Sequence, residues 1–232
     1  MIKMNNIEID KLENNTMEIE GNVEINLSNN ESDNINFILK DNSKLYIKDI
    51  SENVDNKTYN FILNNDSYLE INKLYKVNNL NEIVNIDLNG INSEVKYNFS
   101  TILDANQMYI LNIKHNNKNT KSNVINRGIV LNNSILNIKI NATVKKGCIN
   151  SILNQDSKIV TLGENNSIIE PNLYIDEYLV EARHGATIGG FNKDQLFYLK
   201  SRGITDELCN KLLTRGFLLN NLKIENKDDI EI

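Results

Sequence analysis

A short phrase returns along this chain and limits what it can fold into: an Asn or Asp, then Ser, then any residue, then an apolar-x-apolar triplet. It occurs as Asn42-Ser43-Lys44-Leu45-Tyr46-Ile47, Asp66-Ser67-Tyr68-Leu69-Glu70-Ile71 and Asn92-Ser93-Glu94-Val95-Lys96-Tyr97. Asn133-Ser134-Ile135-Leu136-Asn137-Ile138 and Asp156-Ser157-Lys158-Ile159-Val160-Thr161 follow. Successive serines stand roughly 23 to 26 residues apart, with one gap of about 41, a spacing in the range of solenoid repeats. Between these points, from about Ile7 to Ile175, apolar residues alternate with polar ones in short runs broken by Asn, Asp, Ser and Gly. Period two with frequent turn residues predicts β-strands. Asn is abundant throughout. Its plain reading is a compositional bias, although Asn also tolerates the left-handed turn conformation. A turn pair ahead of each strand suits a coil that corners at fixed positions and stacks on the next, burying Ile, Leu and Val. A β-sandwich or jelly roll fits the same periodicity equally well.

The totals narrow the function. The 232 residues, 40% hydrophobic, suffice for a core, but 6% aromatic content and no Trp make it an Ile, Leu and Val core. The net charge of −6 argues against nucleic acid or an anionic membrane surface as the main partner, since phosphate binding needs clustered Lys and Arg. Cys148 and Cys209 stand alone, with no CxxC, so a four-ligand zinc site is not expected and a reducing compartment is. The N-terminal residues lack an apolar signal region, and no apolar run approaches the ~20 residues of a membrane span. The expectation is a cytoplasmic protein.

The C-terminal quarter reads differently. After Pro171, Asn172 to Asp176 forms a last strand, and Tyr178 to Ala182 leads into a turn at His184-Gly185-Ala186-Thr187. Asn192 N-caps a helix from about Lys193 to Arg202, with Gln195 as capping-box partner and Gly203 as its stop. Thr205 caps a second helix whose Asp206 and Glu207 suit its N-terminal dipole and which Gly216 ends. Leu196, Phe197 and Leu199, then Leu208, Leu212 and Leu213, give each helix a buriable face. The charged tail from Asn221 is read as a strand or as disordered. The two helices resemble a helix-turn-helix in outline, but the acidic start of the second faces where bases would lie, so docking of a protein is the better use.

Candidate chemistry is sparse. His184 beside Gly185, Gly189 and Gly190 is compatible with a base, a metal ligand or a structural turn. His115 in His115-Asn116-Asn117-Lys118 reads as a solvated loop histidine. The glycines have neither the GxxxxGK[ST] nor the GxGxxG spacing. Asp10, Asp33, Asp66, Asp104 and Asp156 would serve a β-helix enzyme acting on sugars if they converged on one face.

His184 to Ile204, HGATIGGFNKDQLFYLKSRGI, with Leu212 to Phe217, LLTRGF, strongly resembles the C-terminal signature of the SufB/SufD family, scaffold subunits of iron–sulfur cluster assembly. His115 with Thr120 and Ser122, before Arg127-Gly128-Ile129-Val130, resembles a further family segment, so the likeness runs from about His115 to Phe217. The resemblance implies an all-β, right-handed parallel β-helix over residues 1–182 and a small C-terminal helical subdomain with tail over 183–232. It implies a non-enzymatic scaffold that pairs through its β-helix with itself or a SufB-like paralogue and binds a SufC-like ABC ATPase. Gln195, Leu196, Phe197, Tyr198, Arg202, Gly203, Leu208 and Leu212 would form the ATPase-docking surface. His184 would be the interface residue implicated in assembly and a metal ligand, with Cys148 and His115 as further candidates around a transient iron–sulfur cluster. The chain departs from the pattern at Ala182, where many members have Cys, and near Ser157 and Lys158, where the scaffold Cys of SufB-type members would fall. It therefore resembles a shortened SufD-like member or a degenerate paralogue that only pairs.

Overall fold

The computed structural model describes residues 5–8, 15–28, 30, 32–52, 56–76, 80–163, 166–225 and 227–232. The first strands are β1 (Asn5–Glu8), β2 (Thr16–Ile19), β3 (Asn22–Asn26), β4 (Asn34–Leu39), β5 (Lys44–Ser51), β6 (Lys57–Leu63), β7 (Tyr68–Tyr75) and β8 (Leu80–Leu88). They continue as β9 (Glu94–Leu103), β10 (Gln107–His115), β11 (Lys121–Leu131), β12 (Leu136–Val144), β13 (Ser151–Leu162), β14 (Ile168–Ile175) and β15 (Val180–Gly189). Odd-numbered strands form one parallel sheet, of eight strands among the described residues, and even-numbered strands form another, of seven. Consecutive strands thus alternate between two sheets, and each pairs with the strand one coil away. This is the parallel β-helix, not the sandwich. Along β5, β6 and β10 the inward residues are buried and the intervening ones half or fully exposed, as a two-period strand demands.

The corners explain part of the repeat. Asn42, Asp66, Asn92, Asn119 and Asn150 all have positive φ, between 55° and 61°, at the entry to successive strands of the larger sheet. Asn and Asp enter this left-handed region more readily than other non-glycine residues. The hydroxyl that follows each of the last four donates to the carbonyl three residues back: Ser67 to Asn64 at 2.6 Å, Ser93 to Gly90 at 2.8 Å, Thr120 to Asn117 at 3.1 Å and Ser151 to Cys148 at 2.9 Å. Two of the five phrases are not such corners. Asn133-Ser134 follows Asn132, a left-handed residue entering the other sheet, and Asp156-Ser157 lies inside β13. The gap of about 41 arose because the true fourth corner carries Thr120, whose hydroxyl makes the same bond a Ser would.

Asn also works between the corners. Asn36, Asn60, Asn85, Asn112, Asn141 and Asn172 stack on the outer face of the seven-stranded sheet, each after Asn36 donating its side-chain amide to the side-chain oxygen of the one before at 2.8–3.1 Å. Such ladders satisfy donor and acceptor at every rung and fix register, so composition alone does not account for the Asn content.

At the coil corner before Asn92 the backbones touch. Gly90 donates its N–H to the Leu63 carbonyl at 2.9 Å, and a Cβ on Gly90 would fall 2.0 Å from the carbonyl carbon of Asn64 and the nitrogen of Asn65. Neither atom can swing aside as a side-chain tip could. Gly90→Ala is expected to lower stability by about 1–3 kcal/mol, the range for overpacking, read as a lower urea midpoint at unchanged slope. A midpoint equal to that of the parent chain would show that the stack opens without cost.

Helices α1 (Lys193–Ser201) and α2 (Asp206–Leu219) follow the solenoid. Asn192 accepts from the Asp194 N–H and Thr205 from the Leu208 N–H, so both N-caps form as the sequence predicts. Gly203 at φ +80° closes α1 after the C-cap residue Arg202. Gly216 does not end α2, which runs to Leu219. Leu218 and Leu219 are buried against the larger sheet, and that packing outweighs a helical glycine. The tail is neither a strand nor a loose end over its described part: Leu222 and Ile224 are buried with Leu74, and Lys227–Asp229 make a 3₁₀ turn. The turn expected at His184 to Thr187 is instead the middle of β15, so the solenoid extends past the expected boundary at residue 182 and the helical part begins at Lys193.

Candidate functional site at the open end of the solenoid

The last coil is built from β14 and β15, the terminal strands of the two sheets among the described residues. Each pairs on one edge alone, with β12 and β13. Its register sets Ala182, His184, Ala186 and Ile188 over Leu153, Gln155, Ser157 and Ile159. Leu153, Gln155, Ser157 and Ile159 are buried, so they line the interior, and parallel register partners point the same way. His184 therefore stands on an inward-facing position of a coil on which no strand of the described residues stacks, and it is exposed. Apolar residues surround this end: Ile168, Tyr174, Ile175, Leu179 and Ile188 are exposed, and Tyr178 is 100% exposed.

A second exposed apolar face lies on the helices. Phe197 is 76% and Tyr198 57% exposed, with Leu208 and Leu212 also open. Gln195 is exposed beside them, while Leu196 is half-buried. Arg202 stacks over the Tyr198 ring at 5.2 Å, and Lys200 bridges to Asp206 at 2.8 Å, joining α1 to α2. The helices are anchored from behind: Ser100 donates to the Leu218 carbonyl at 2.7 Å, and the buried Arg127 packs over Phe217 while pairing Asp156 at 2.6 Å. The predicted docking residues thus share one helical pair, on which Phe197, Tyr198, Leu208 and Leu212 are uncovered.

The other candidates lie apart from His184 in character. His115 is fully buried at the end of β10, not solvated in a loop. Its Nδ1 lies 2.7 Å from the Thr120 hydroxyl and its Nε2 2.9 Å from that of Ser122. Burial holds its pKa down at about 4, so it is a neutral core residue at neutral pH. Cys148 is buried among Ala142, Val144, Leu153, Leu173, Val180 and Ala182, and burial pushes its thiol pKa up, the inert setting for a cysteine. Cys209 is buried in α2. Among the described residues no three of His, Cys, Asp and Glu gather closely enough to hold a metal ion. Asp66, Asp104 and Asp156 bond Asn92, Asn132 and Arg127 at separate corners and strands, Asp33 is exposed, and Asp10 lies outside the described residues. No described helix is long and apolar enough to cross a membrane.

The family model "SUF system FeS cluster assembly, SufBD core domain" matches residues 5–217, from β1 through nearly all of α2. The chain belongs to the SufB/SufD family. The match extends the likeness well ahead of His115. The iron–sulfur cluster assembly protein SufD of Bacillus subtilis is 29% identical over 126 residues, which is 53% of this chain and 29% of that protein. SufD of Escherichia coli is 26% identical over 138 residues, 56% of this chain and 31% of that protein. A SufBD family protein of Mycobacterium leprae is 50% identical over 48 residues, 20% of this chain and 12% of that protein. The aligned part is under a third of the length of each of these SufB/SufD relatives.

Two features of this SufB/SufD chain escaped the sequence. Gln155 is 4% exposed, and neither its side-chain nitrogen nor its oxygen has a partner. The signal available was period two: Leu153, Gln155, Ser157 and Ile159 share a face, but the false corner at Asp156-Ser157 hid it. The interior also holds a charged cluster around Lys73 and Glu82, where alternation predicted apolar residues.

Proposed function

We propose that the chain is a scaffold subunit of SUF-type iron–sulfur cluster assembly, with the cluster as cargo and no catalytic activity of its own. In this reading α1 and α2 bind a SufC-like ABC ATPase, and the last coil pairs with a second copy or a SufB-like paralogue in the cytoplasm, without nucleic acid or membrane. A transient cluster would form at that junction, with His184 supplying one ligand and the partner others, since cluster ligands are chiefly thiolates. The observation that carries the reading is His184 on an open coil end rimmed by exposed apolar residues. Unpaired strand edges are templates for strand addition, and contiguous exposed apolar surface marks an interface. Phe197, Tyr198, Leu208 and Leu212 supply the aromatic and aliphatic anchors a docking surface needs. A purely pairing paralogue is the second reading, favoured by the burial of both cysteines and by the lack of a clustered ligand group among the described residues.

Light scattering after gel filtration of the co-expressed chain and SufC-like ATPase from the same source tests this. The expected result is a stable complex that Phe197→Glu weakens at least tenfold, about 1.4 kcal/mol, while the mass of the chain alone stays that of a dimer. Ile188→Arg is expected to return the chain to a monomer without loss of secondary structure. Folded protein that forms no ATPase complex would overturn the docking role and leave the pairing reading.

A further inference from the structure

Gln155 has no evident structural reason to be Gln. It faces the solenoid interior on β13, is 4% exposed, and both ends of its amide are unpaired. Buried polar groups in folded proteins almost always have partners, and a partnerless one calls for a reason. An apolar side chain of the same volume would serve packing better. The rungs beside it say where a partner can come from. Val124 lies next to it on β11 and offers nothing. Ser157, its neighbour along β13, accepts from Asn126 at 3.0 Å and makes no bond to either end of the Gln155 amide. His184 lies next to it on β15.

We infer that Gln155 is the positioning residue for His184: its amide oxygen accepts a hydrogen bond from one imidazole nitrogen when the His184 side chain turns in over the open end, leaving the other nitrogen's lone pair facing outward. Adjacent strands stand about 4.7–4.9 Å apart, within reach of both side chains. On its face of β15 His184 is flanked by Ala182 and Ala186, which leave room for the ring, and it is exposed, with no strand of the described residues stacked above it. A histidine that ligates a metal or meets a thiol needs its second nitrogen fixed by such a bond, which sets tautomer and ring orientation. An amide does this while adding no charge to the apolar end of the coil.

What His184 does once oriented rests on the scaffold reading above, but the hydrogen bond belongs to the folded chain alone and is tested there. The chain has two histidines, and the other, His115, is buried between hydroxyls, so the two ring signals are separable. Imidazole ¹⁵N NMR of the parent chain, taken at a pH where His184 is neutral, is expected to show one dominant His184 tautomer. Gln155→Met, which keeps the volume and removes the amide, is expected to shift that ratio toward the mixture of a free histidine while the thermal midpoint holds or rises. Gln155→Glu, which keeps an acceptor, is expected to retain the bias. A tautomer ratio unchanged in Gln155→Met overturns the inference, as does a fall in its thermal midpoint with the ratio intact, the mark of a residue that only packs. A separate arm addresses the scaffold reading. Fe(II) binding by the chain with its partner subunit is expected to weaken about tenfold in Gln155→Met, the low end for removing a residue that orients a ligand, and further in His184→Ala. Equal Fe(II) binding in parent and His184→Ala would sink the ligand role of His184 while leaving the NMR result to stand by itself.

Discussion

Lys73→Met is expected to lower the stability of this chain by about 3–5 kcal/mol, the loss found when one partner of a buried ion pair is removed. Lys73 is 1% exposed inside the solenoid, and its ammonium sits 2.9 Å from both oxygens of Glu82. The pair spans the interior, for Lys73 is on β7 and Glu82 on β8 of the facing sheet. Lys73 is in register with Asp49, also fully buried, and Glu82 with Lys57. Tyr75 ties the two acids together, donating to Asp49 at 2.6 Å or to Glu82 at 2.9 Å, and Lys73 lies 3.8 Å over the Tyr59 ring. Burial pushes the Asp49 carboxyl pKa up, and Lys73, Ser51 and Tyr75 oppose that push. Removing the ammonium leaves two carboxylates facing one another in a medium that solvates neither. At 2–4 °C per kcal/mol for a domain of this size, the melting temperature should fall by roughly 10 °C. Lys73→Met combined with Glu82→Leu should recover part of the loss, since an apolar replacement of a buried pair is often near neutral, while Asp49 stays buried without Lys73. A single-variant loss under about 1 kcal/mol would show that water or protons reach the cluster, against the burial described.

Acid should unfold the chain partly through His115. Its folded pKa is about 4 against an ordinary 6.5, because burial disfavours the charged ring. The neutral ring is the form the fold holds, so this contribution is complete above pH 6.5. It is lost as pH falls from 6.5 toward 4, where the unfolded chain takes up a proton the folded chain refuses, and no more is lost below 4. The shift corresponds to about 3 kcal/mol across that window. Urea midpoints at pH 7 and pH 4 should therefore converge more in His115→Gln than in the parent, with His184→Asn as the exposed control. Parent and His115→Gln curves of the same pH dependence would mean that the ring is protonated or wet in the fold.

Much of the architecture was legible in the order of residues. Alternation predicted the strands, and the Asn-Ser and Asp-Ser pairs at 42, 66 and 92 marked true corners. The caps at Asn192 and Thr205 are legible in the sequence because capping is a contest among a few neighbouring atoms. The apolar positions Phe197 and Leu212 are also visible in the sequence, and the structure leaves both exposed.

What failed did so wherever a distant segment decided. Thr120 makes a corner outside the Ser phrase because the geometry needs a hydroxyl, not a serine, and Asp156-Ser157 matches the phrase without being a corner because a local phrase carries no coil number. Gly216 was read as a stop, yet Leu218 and Leu219 hold α2 past it by packing on Leu74, Ile129 and Val160, residues of strands far back in the chain. Lys73 and Glu82 broke the apolar alternation, and only their meeting across two sheets makes them core. The ladder of Asn36, Asn60, Asn85, Asn112, Asn141 and Asn172 has no local signature, since its spacing drifts with coil length. Gln155 and His184 became a pair only through register. The sequence by itself determined the strands, the corners it could mark locally, the helix starts and the family signature, because each rests on residues a few positions apart. The tertiary structure decided which side chains share a rung, which end of the solenoid stays open and which charges are buried, because those depend on where each coil lands on the one before it.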